Sequence, residues 1–496
     1  MKEEIYQTFC PGCGVGCGLY IREDPEGNTS VDFMKSSPAN LGKLCRFGMK
    51  VPYHYSKART MVTGSKADME DAIKSAALRM ADADSVTMLS VGNTTSEEHM
   101  AFCRIAETLG TRVDTGVFPL PSQITPKCSS YQQGISLDEM EKAKIIALFL
   151  DPYVQYPLIV RRLLAAKRNG AGIVAVGTKE LHLADETLDI GPERYDELGL
   201  DDKSLIVADI HPNSDPVHVK QLLDLAGRCG AKIHFMQPFI NSTAVNLAAK
   251  ANDSMMALAQ IMEDIEAGNI RTLVVLDSDP VELMPDAAAA VETLKKLDNL
   301  IVISSRASPV TELADVVIAT EPVYMKAGTF MNVEGRLQEN SGTGVEGIDA
   351  MSLLNGELGG KLFDYQQLHY IFMKSIGDPG TDVRDATTDK AQQMECGSVD
   401  VDNAGSSIPE GMYQLKYLYN PFMWFDQRDD NDFVLIDRKL VKELGLKKGG
   451  MVVLGSEKGK MKMRYRVENI PGGMVMTAKK IPVATGMNTI ISLEGC

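Results

Sequence analysis

No apolar run in the 496 residues reaches the length of a membrane span, so the sequence predicts no membrane insertion. No signal-peptide pattern or twin arginine opens it, and the expectation is a cytoplasmic protein unless a partner subunit carries an export signal. Positive charge is in short supply: 51 Lys and Arg stand against 67 Asp and Glu, a net −16. That balance disfavours nucleic acid and anionic membrane surfaces as partners. Histidine at metal-ligand spacing is lacking. His54, His99, His182, His211, His218, His234 and His369 are scattered, and read as ordinary surface or helix residues. The nine cysteines fall at uneven spacing, which suits a reducing compartment rather than a disulfide framework.

What is present is concentrated in the first 48 residues. Cys10, Cys13, Cys17 and Cys45 read C-x2-C-x3-C-x27-C, and four thiolates is the ligand count of a [4Fe–4S] cluster. Gly12, Gly14, Gly16 and Gly18 surround the first three, which lets the backbone wrap tightly and bring amide N–H groups near sulfur. Zinc is the rival reading. It favours two C-x2-C pairs, whereas here one close triple is joined by a distant single.

After this module (1–57) the chain alternates strand and helix to residue 374. VTMLSVGN, IIALFLDP, AGIVAVGT, LIVADIHP, AKIHFMQPF, TLVVLDSDP and LIVISSRA read as buried strands. Between them fall helical segments with start signals, such as Ser65 or Asp68 before MEDAIKSAALRMA, and Thr95 or Ser96 before EEHMAFCRIAET. This is the rhythm of parallel, doubly wound sheets, whose ligands bind beyond the strand C-termini. Those positions are Gly92-Asn93, Asp151-Pro152 and Gly177-Thr178. Residues 375–411 are polar, without periodicity, and read as a linker or surface excursion. Residues 412–496 are mostly short strands.

CPGCGVGCGL followed by N-x-G-x-LC resembles the N-terminus of the molybdopterin oxidoreductase family. That family includes formate dehydrogenases, the catalytic subunit of formylmethanofuran dehydrogenase and the large iron–sulfur subunit of respiratory complex I. Two later stretches are similar to it as well. DIEAGNIRTLVVLDSDPVELMPD resembles a family stretch ending in G-x-N-P, with Asp277 and Asp279 standing for the Gly and Asn ahead of Pro280. TELADVVIATEPVYMKAGTFMNVEGRLQ resembles the family's T-x-x-ADVVLP…GTF-x-N-x-EGR-x-Q. The resemblance implies an α/β fold: an N-terminal [4Fe–4S] module, two interleaved doubly wound α/β domains, and a C-terminal dinucleotide-binding β-barrel of double-psi type. It implies metal ligands Cys10, Cys13, Cys17 and Cys45. It implies cofactor contacts at Gly92, Asn93, Asp151, Pro152, Asp279, Pro280, Gly328, Thr329, Asn332 and Arg336, with a structural role for the last motif left open.

The chain departs from the family twice. Phe47 stands where many active members carry a lysine, with Arg46 beside it as a substitute cation or a charge balance for the cluster. The Cys or Sec followed by His that serves the metal in formate dehydrogenases is expected within 116–121, where there is neither. Cys128 is the later candidate ligand, Asp114 a weaker one. Three functions stay open. One is an electron-transfer subunit passing electrons through one cluster to other redox subunits, its pterin site degenerate. Another is an active formate dehydrogenase-like enzyme with Mo or W on molybdopterin guanine dinucleotide. The third is a structural or assembly subunit that has lost the pterin.

Overall fold

A computed structural model describes residues 3–54, 57–116, 135–249, 256–376, 408–425, 433–447, 449–483 and 489–495. Cys128 and positions 117–121 lie outside them, as does 377–407 within the stretch read as linker. The chain divides into two compact units, between which it passes repeatedly. The first takes Met1–Gln123, Gln237–Val281 and Ala289–Gln392; the second takes Ile124–Met236, Glu282–Ala288 and Gln393–Cys496.

The first unit opens with a three-stranded antiparallel sheet, Glu4–Phe9, Gly18–Glu23 and Thr29–Phe33. Its larger sheet has seven strands in the order Ser65–Lys66, Met61–Val62, Val316–Ala319, Asn299–Ser304, Thr272–Leu276, Thr87–Leu89 and Val113–Asp114. The last five run parallel. Their β-branched, fully buried runs, such as Thr272–Leu276, suit a sheet covered on both faces. The helix Met69–Ala81 begins where Asp68 accepts from the Asp71 N–H, and Ser96–Thr108 where Thr95 accepts from Glu98. Each such cap is worth about 1 kcal/mol. Ile73, Met80, Phe102 and Ile105 on these helices pack with Val274 and Ile301 of the sheet and with Met351 and Leu354 of the helix Glu346–Glu357 in one core. The helix Tyr365–Ile376 runs two residues into the stretch read as linker.

The second unit holds a five-stranded parallel sheet, ordered Glu186–Leu188, Gly172–Val176, Ile145–Leu148, Ser204–Asp209 and Lys232–Met236. It also holds a closed six-stranded barrel made of Met412–Tyr417, Met474–Thr477, Phe433–Asp437, Gly459–Glu468, Met451–Ser456 and Ile490–Gly495. Two of the barrel's pairings are parallel, at Gln414↔Met474 and Phe433↔Arg464. No helix among the described residues is long and apolar enough to cross a membrane.

Each parallel sheet has a point where the chain leaves neighbouring strands in opposite directions, the usual place for a ligand. In the first unit it lies between Thr87–Leu89 and Thr272–Leu276, in the second between Ile145–Leu148 and Ser204–Asp209.

Candidate iron–sulfur site and the two sheet crevices

The loop from Cys10 to Cys17 closes on itself: the Cys10 N–H donates to the Cys17 carbonyl at 2.8 Å. Asn40 then ties the fourth cysteine's segment to the first three. Its Nδ2 donates to the carbonyls of Gly18 (3.0 Å) and Lys43 (2.8 Å), and its Oδ1 accepts from the Gly18 N–H at 2.9 Å. Cys10 and Cys17 are buried, Cys13 and Cys45 half-buried. The free thiols stand in for the thiolates that would bind iron. Burial pushes all four up, Cys13 to about 12, and repulsion among them adds to this at Cys10, Cys13 and Cys17. Only a positive charge among them makes four thiolates affordable. Backbone N–H groups oppose the rise: Gly12 faces Cys10 sulfur, Val15 faces Cys13, Cys17 faces its own, and Phe47 and Gly48 face Cys45. Among the described residues no three Cys, His, Asp or Glu converge tightly enough for a single ion. Four buried or half-buried thiols with amides aimed at sulfur suit a cubane cluster.

A second layer holds the loop from outside, and it is the segment read as GTF-x-N-x-EGR-x-Q. Val333 N–H donates to the Gly14 carbonyl at 2.7 Å. Asn332 Nδ2 donates to the Val15 carbonyl at 3.1 Å, and Gln338 Nε2 to the Gly16 carbonyl at 2.7 Å. The approach is so close that a Cβ on Gly14 would lie 2.4 Å from Val333 Cγ1, and one on Gly16, at φ +64°, 2.3 Å from Gln338 Oε1. These glycines admit the clamp as well as the cluster.

The rest of the motif is occupied similarly. Asn332 Oδ1 accepts from the Glu334 and Arg336 N–H groups, and Arg336 Nε donates to Glu334 at 2.9 Å. Thr329 donates to buried Glu97 through its N–H (2.8 Å) and hydroxyl (3.1 Å), and Gly328 leaves room for that carboxylate. His369 Nδ1 also meets Glu97, at 2.7 Å, which raises the imidazole above its ordinary range. In the described fold these polar groups of Thr329, Asn332 and Arg336, expected at a bound anion, face the protein's own groups.

Beside them lies a charge cluster that the sequence did not reveal. Lys326, 1% exposed, donates to Glu98 Oε2 at 2.7 Å and Asp277 Oδ2 at 2.9 Å. Thr94 also donates to Glu98, and Asp277 Oδ1 accepts from the Ser305 N–H (2.7 Å) and both the Ser304 and Ser305 hydroxyls. Burial, with Asp277 and Glu321 nearby, pushes Glu98 up to about 7 against the pull of Lys326. For Lys326 the attraction of Asp277 and Glu98 outweighs burial, and it stays charged. Asp277 takes φ +41°, a conformation that asparagine and aspartate tolerate better than most.

Molybdopterin oxidoreductase Fe4S4 domains match residues 3–56. The likeness is to the molybdopterin oxidoreductase family. Relatives include the F420-dependent formate dehydrogenase subunit alpha of Methanocaldococcus jannaschii, 23% identical over 75% of this chain and 73% of that one. The F420-dependent formate dehydrogenase 2 subunit alpha of Methanococcus maripaludis is 26% identical over 36% of this chain and 29% of that one. Among solved structures, acetylene hydratase from Pelobacter acetylenicus shares the fold, with TM-score 0.61 at 10% identity, covering 95% of this chain and 92% of that one.

The Fe4S4 domain match supports a [4Fe–4S] cluster within residues 3–56, and likeness to the family supports a pterin with Mo or W as the candidate second cofactor. The crevices test the fit of its anionic dinucleotide. In the first unit Asn93 and Ser278 meet at the crevice, but Ser278 Oγ accepts from the Val91 N–H at 3.1 Å and bridges it. The space left among Asn93, Asp277, Ser278, Ser304 and Ser308 is about 10 Å³, one water's worth. Gly92 packs against Ser242, where a Cβ would lie 2.7 Å from Cα. Asp279 accepts from the Val281 and Val310 N–H groups, with Pro280 opening a short helix. In the second unit Gln155 spans the crevice: its Oε1 accepts from the Asp151 N–H at 2.8 Å and its Nε2 donates to Asp209 at 2.9 Å. Asp151, followed by Pro152, pairs with Lys179 at 3.1 Å. His211, Tyr419 and Trp424 stack beside Asp209. This unit's cavity of about 450 Å³ is lined by Glu180, Asp185, Glu186, Asp189 and Asp437 against Lys439 alone. Five carboxylates repel a pyrophosphate. As folded, the space at the first crevice holds about one water, and the second unit's cavity repels anions.

Of the residues expected from sequence, the four cysteines come together at one site. Asn93, Asp279 and Pro280 gather near the first crevice, and Asp151 and Pro152 at the second. Asn40, Gln338 and Lys326 were missed. Asn40 was signalled by the N-x-G-x-LC pattern and Gln338 by the last letter of its motif; Lys326 carried no signal.

Proposed function

We propose that this chain is an electron-relay subunit of a larger redox complex, moving single electrons through one [4Fe–4S] cluster. One observation carries the reading: the groups that the family motifs lead one to expect around a pterin dinucleotide are engaged elsewhere. Asn332 grips the cluster loop, Asp277 is locked to Lys326, and the crevice beside Asn93 keeps about 10 Å³. The clamp and the N–H groups facing sulfur are what a cluster needs to hold a set potential. A single cluster requires a donor and an acceptor, and relatives named as alpha subunits support partner redox subunits.

A second reading, a formate dehydrogenase-like enzyme with Mo or W, is favoured by Asn93, whose Oδ1 has no partner among the described residues, beside the serine hydroxyls of the first crevice. Anaerobic turnover separates the two. The relay reading expects the iron-loaded chain to reduce no viologen dye with formate, while accepting one electron from dithionite. Formate-driven dye reduction would contradict it.

A further inference from the structure

The rim of the cluster module carries the opposite sign of charge from the rest of the chain. From Phe33 to Lys50 there is no Asp or Glu, but Lys35, Lys43, Arg46 and Lys50 are all exposed, in a chain of net −16. The acid adjoining this stretch in sequence, Asp32, is paired with Arg22 at 2.8 Å. Among these cations stand three exposed apolar side chains: Phe33 and Leu41, each 45% exposed, and Met49, 49% exposed. The strand ending at Phe33 packs against the segment Gly48–His54 that carries Met49. Leu41 N–H donates to the Ser37 carbonyl at 2.7 Å, and the Gly42 backbone lies against Lys35, where a Cβ would come within 3.0 Å of its Cα. Met49 N–H donates to the Cys45 carbonyl at 3.0 Å. Leu41 sits at φ +47°, uncommon for leucine, with its side chain held out to solvent. Cys45, in the middle of this stretch, is one of the two ligands that are only half-buried.

We infer that this face docks a small acidic electron-transfer protein, an iron–sulfur or flavin one-electron carrier, beside Cys45. The inference rests on the relay reading and names the surface through which it works. Charge complementarity selects the occupant. Exposed apolar side chains interspersed with cations suit a partner with an acidic face, and transient redox contacts need only a small patch. A cluster held by Cys10, Cys13, Cys17 and Cys45 would, once reduced, supply one electron to the carrier's oxidised centre, with no bond made or broken.

The test uses the iron-loaded, dithionite-reduced chain and an acidic plant-type [2Fe–2S] ferredoxin as probe, in stopped flow at low ionic strength. The variant is Lys35→Glu/Lys43→Glu/Lys50→Glu, which leaves the cysteines and Arg46 intact. The expected result is ferredoxin reduction slowed by about 10- to 100-fold in the variant, with the difference shrinking as salt rises. A small neutral quinone should oxidise both proteins at one rate. Equal ferredoxin rates, or faster transfer to a basic cytochrome c than to the ferredoxin in the unmodified chain, would overturn the inference. So would variant-sensitive binding to phosphatidylserine vesicles or duplex DNA with ferredoxin rates unaffected. If the quinone draws no electron from the unmodified chain, the relay reading itself falls; if it does and charge has no effect, only the docking face is lost.

Discussion

Gln338 donates from Nε2 to the carbonyl of Gly16 at 2.7 Å, across 322 residues of sequence. The N–H of that same peptide belongs to Cys17 and faces its sulfur. The next peptide but one repeats the arrangement: Val333 holds the Gly14 carbonyl, and the Val15 N–H faces Cys13 sulfur. Pinning the carbonyl end outside points the N–H end at the thiolate, and such N–H groups stabilise the reduced cluster.

Gln338→Leu should therefore lower the cluster's midpoint potential, and Gln338→Glu should lower it further by repelling the carbonyl. A redox titration followed by electron paramagnetic resonance reads both. Loss of the bond also leaves a buried carbonyl unmatched, at about 1–3 kcal/mol. A variant destabilised by that amount with an unmoved potential would show a purely structural clamp.

Asn40→Ala removes two hydrogen bonds to Gly18 and one to the Lys43 carbonyl, which together fasten Cys45's segment to the first three cysteines. Iron should leave the cluster about tenfold or more faster in the presence of a chelator, in line with other supporting residues of metal sites. The decay of the cluster's visible absorbance checks this.

Lys326→Met should cost about 3–5 kcal/mol, because it strands two buried carboxylates. Denaturant unfolding of the iron-loaded chain measures it. A cost below about 1 kcal/mol would mean that Glu98 and Asp277 share a proton without the lysine.

Glu98 adds a pH signature. Its folded value, near 7, lies above the ordinary unfolded value of about 4.3. The folded state thus holds the proton more tightly. Its contribution is fully present below the unfolded value and is lost as pH rises from about 4.3 through 7. Glu98→Gln should flatten this part of the stability profile, as read by melts between pH 5 and 8.

The local signals in the sequence were good guides wherever the physics was local. Four cysteines at cluster spacing, Asp68 and Thr95 as caps, and strands such as Thr272–Leu276 all follow from side chains acting on their own neighbourhood. Asn332 and Thr329 show where that stops. Their motif was legible, and its amide, hydroxyl and guanidinium groups suit an anion. Which group they serve depends on partners more than 200 residues away, Val15 and Glu97. Lys326 is the sharper case. Nothing in its neighbours marks a buried cation, because both counter-charges arrive from other strands and helices, 228 and 49 residues distant.

In the relay reading the chain moves electrons through one cluster and holds no pterin metal. Iron, molybdenum and tungsten counted per chain in anaerobically purified protein test it most directly. The prediction is about four irons with neither molybdenum nor tungsten. Molybdenum or tungsten at about one per chain would contradict it, and would mean that the crevices beside Asn93 and Asp209 open to admit the dinucleotide.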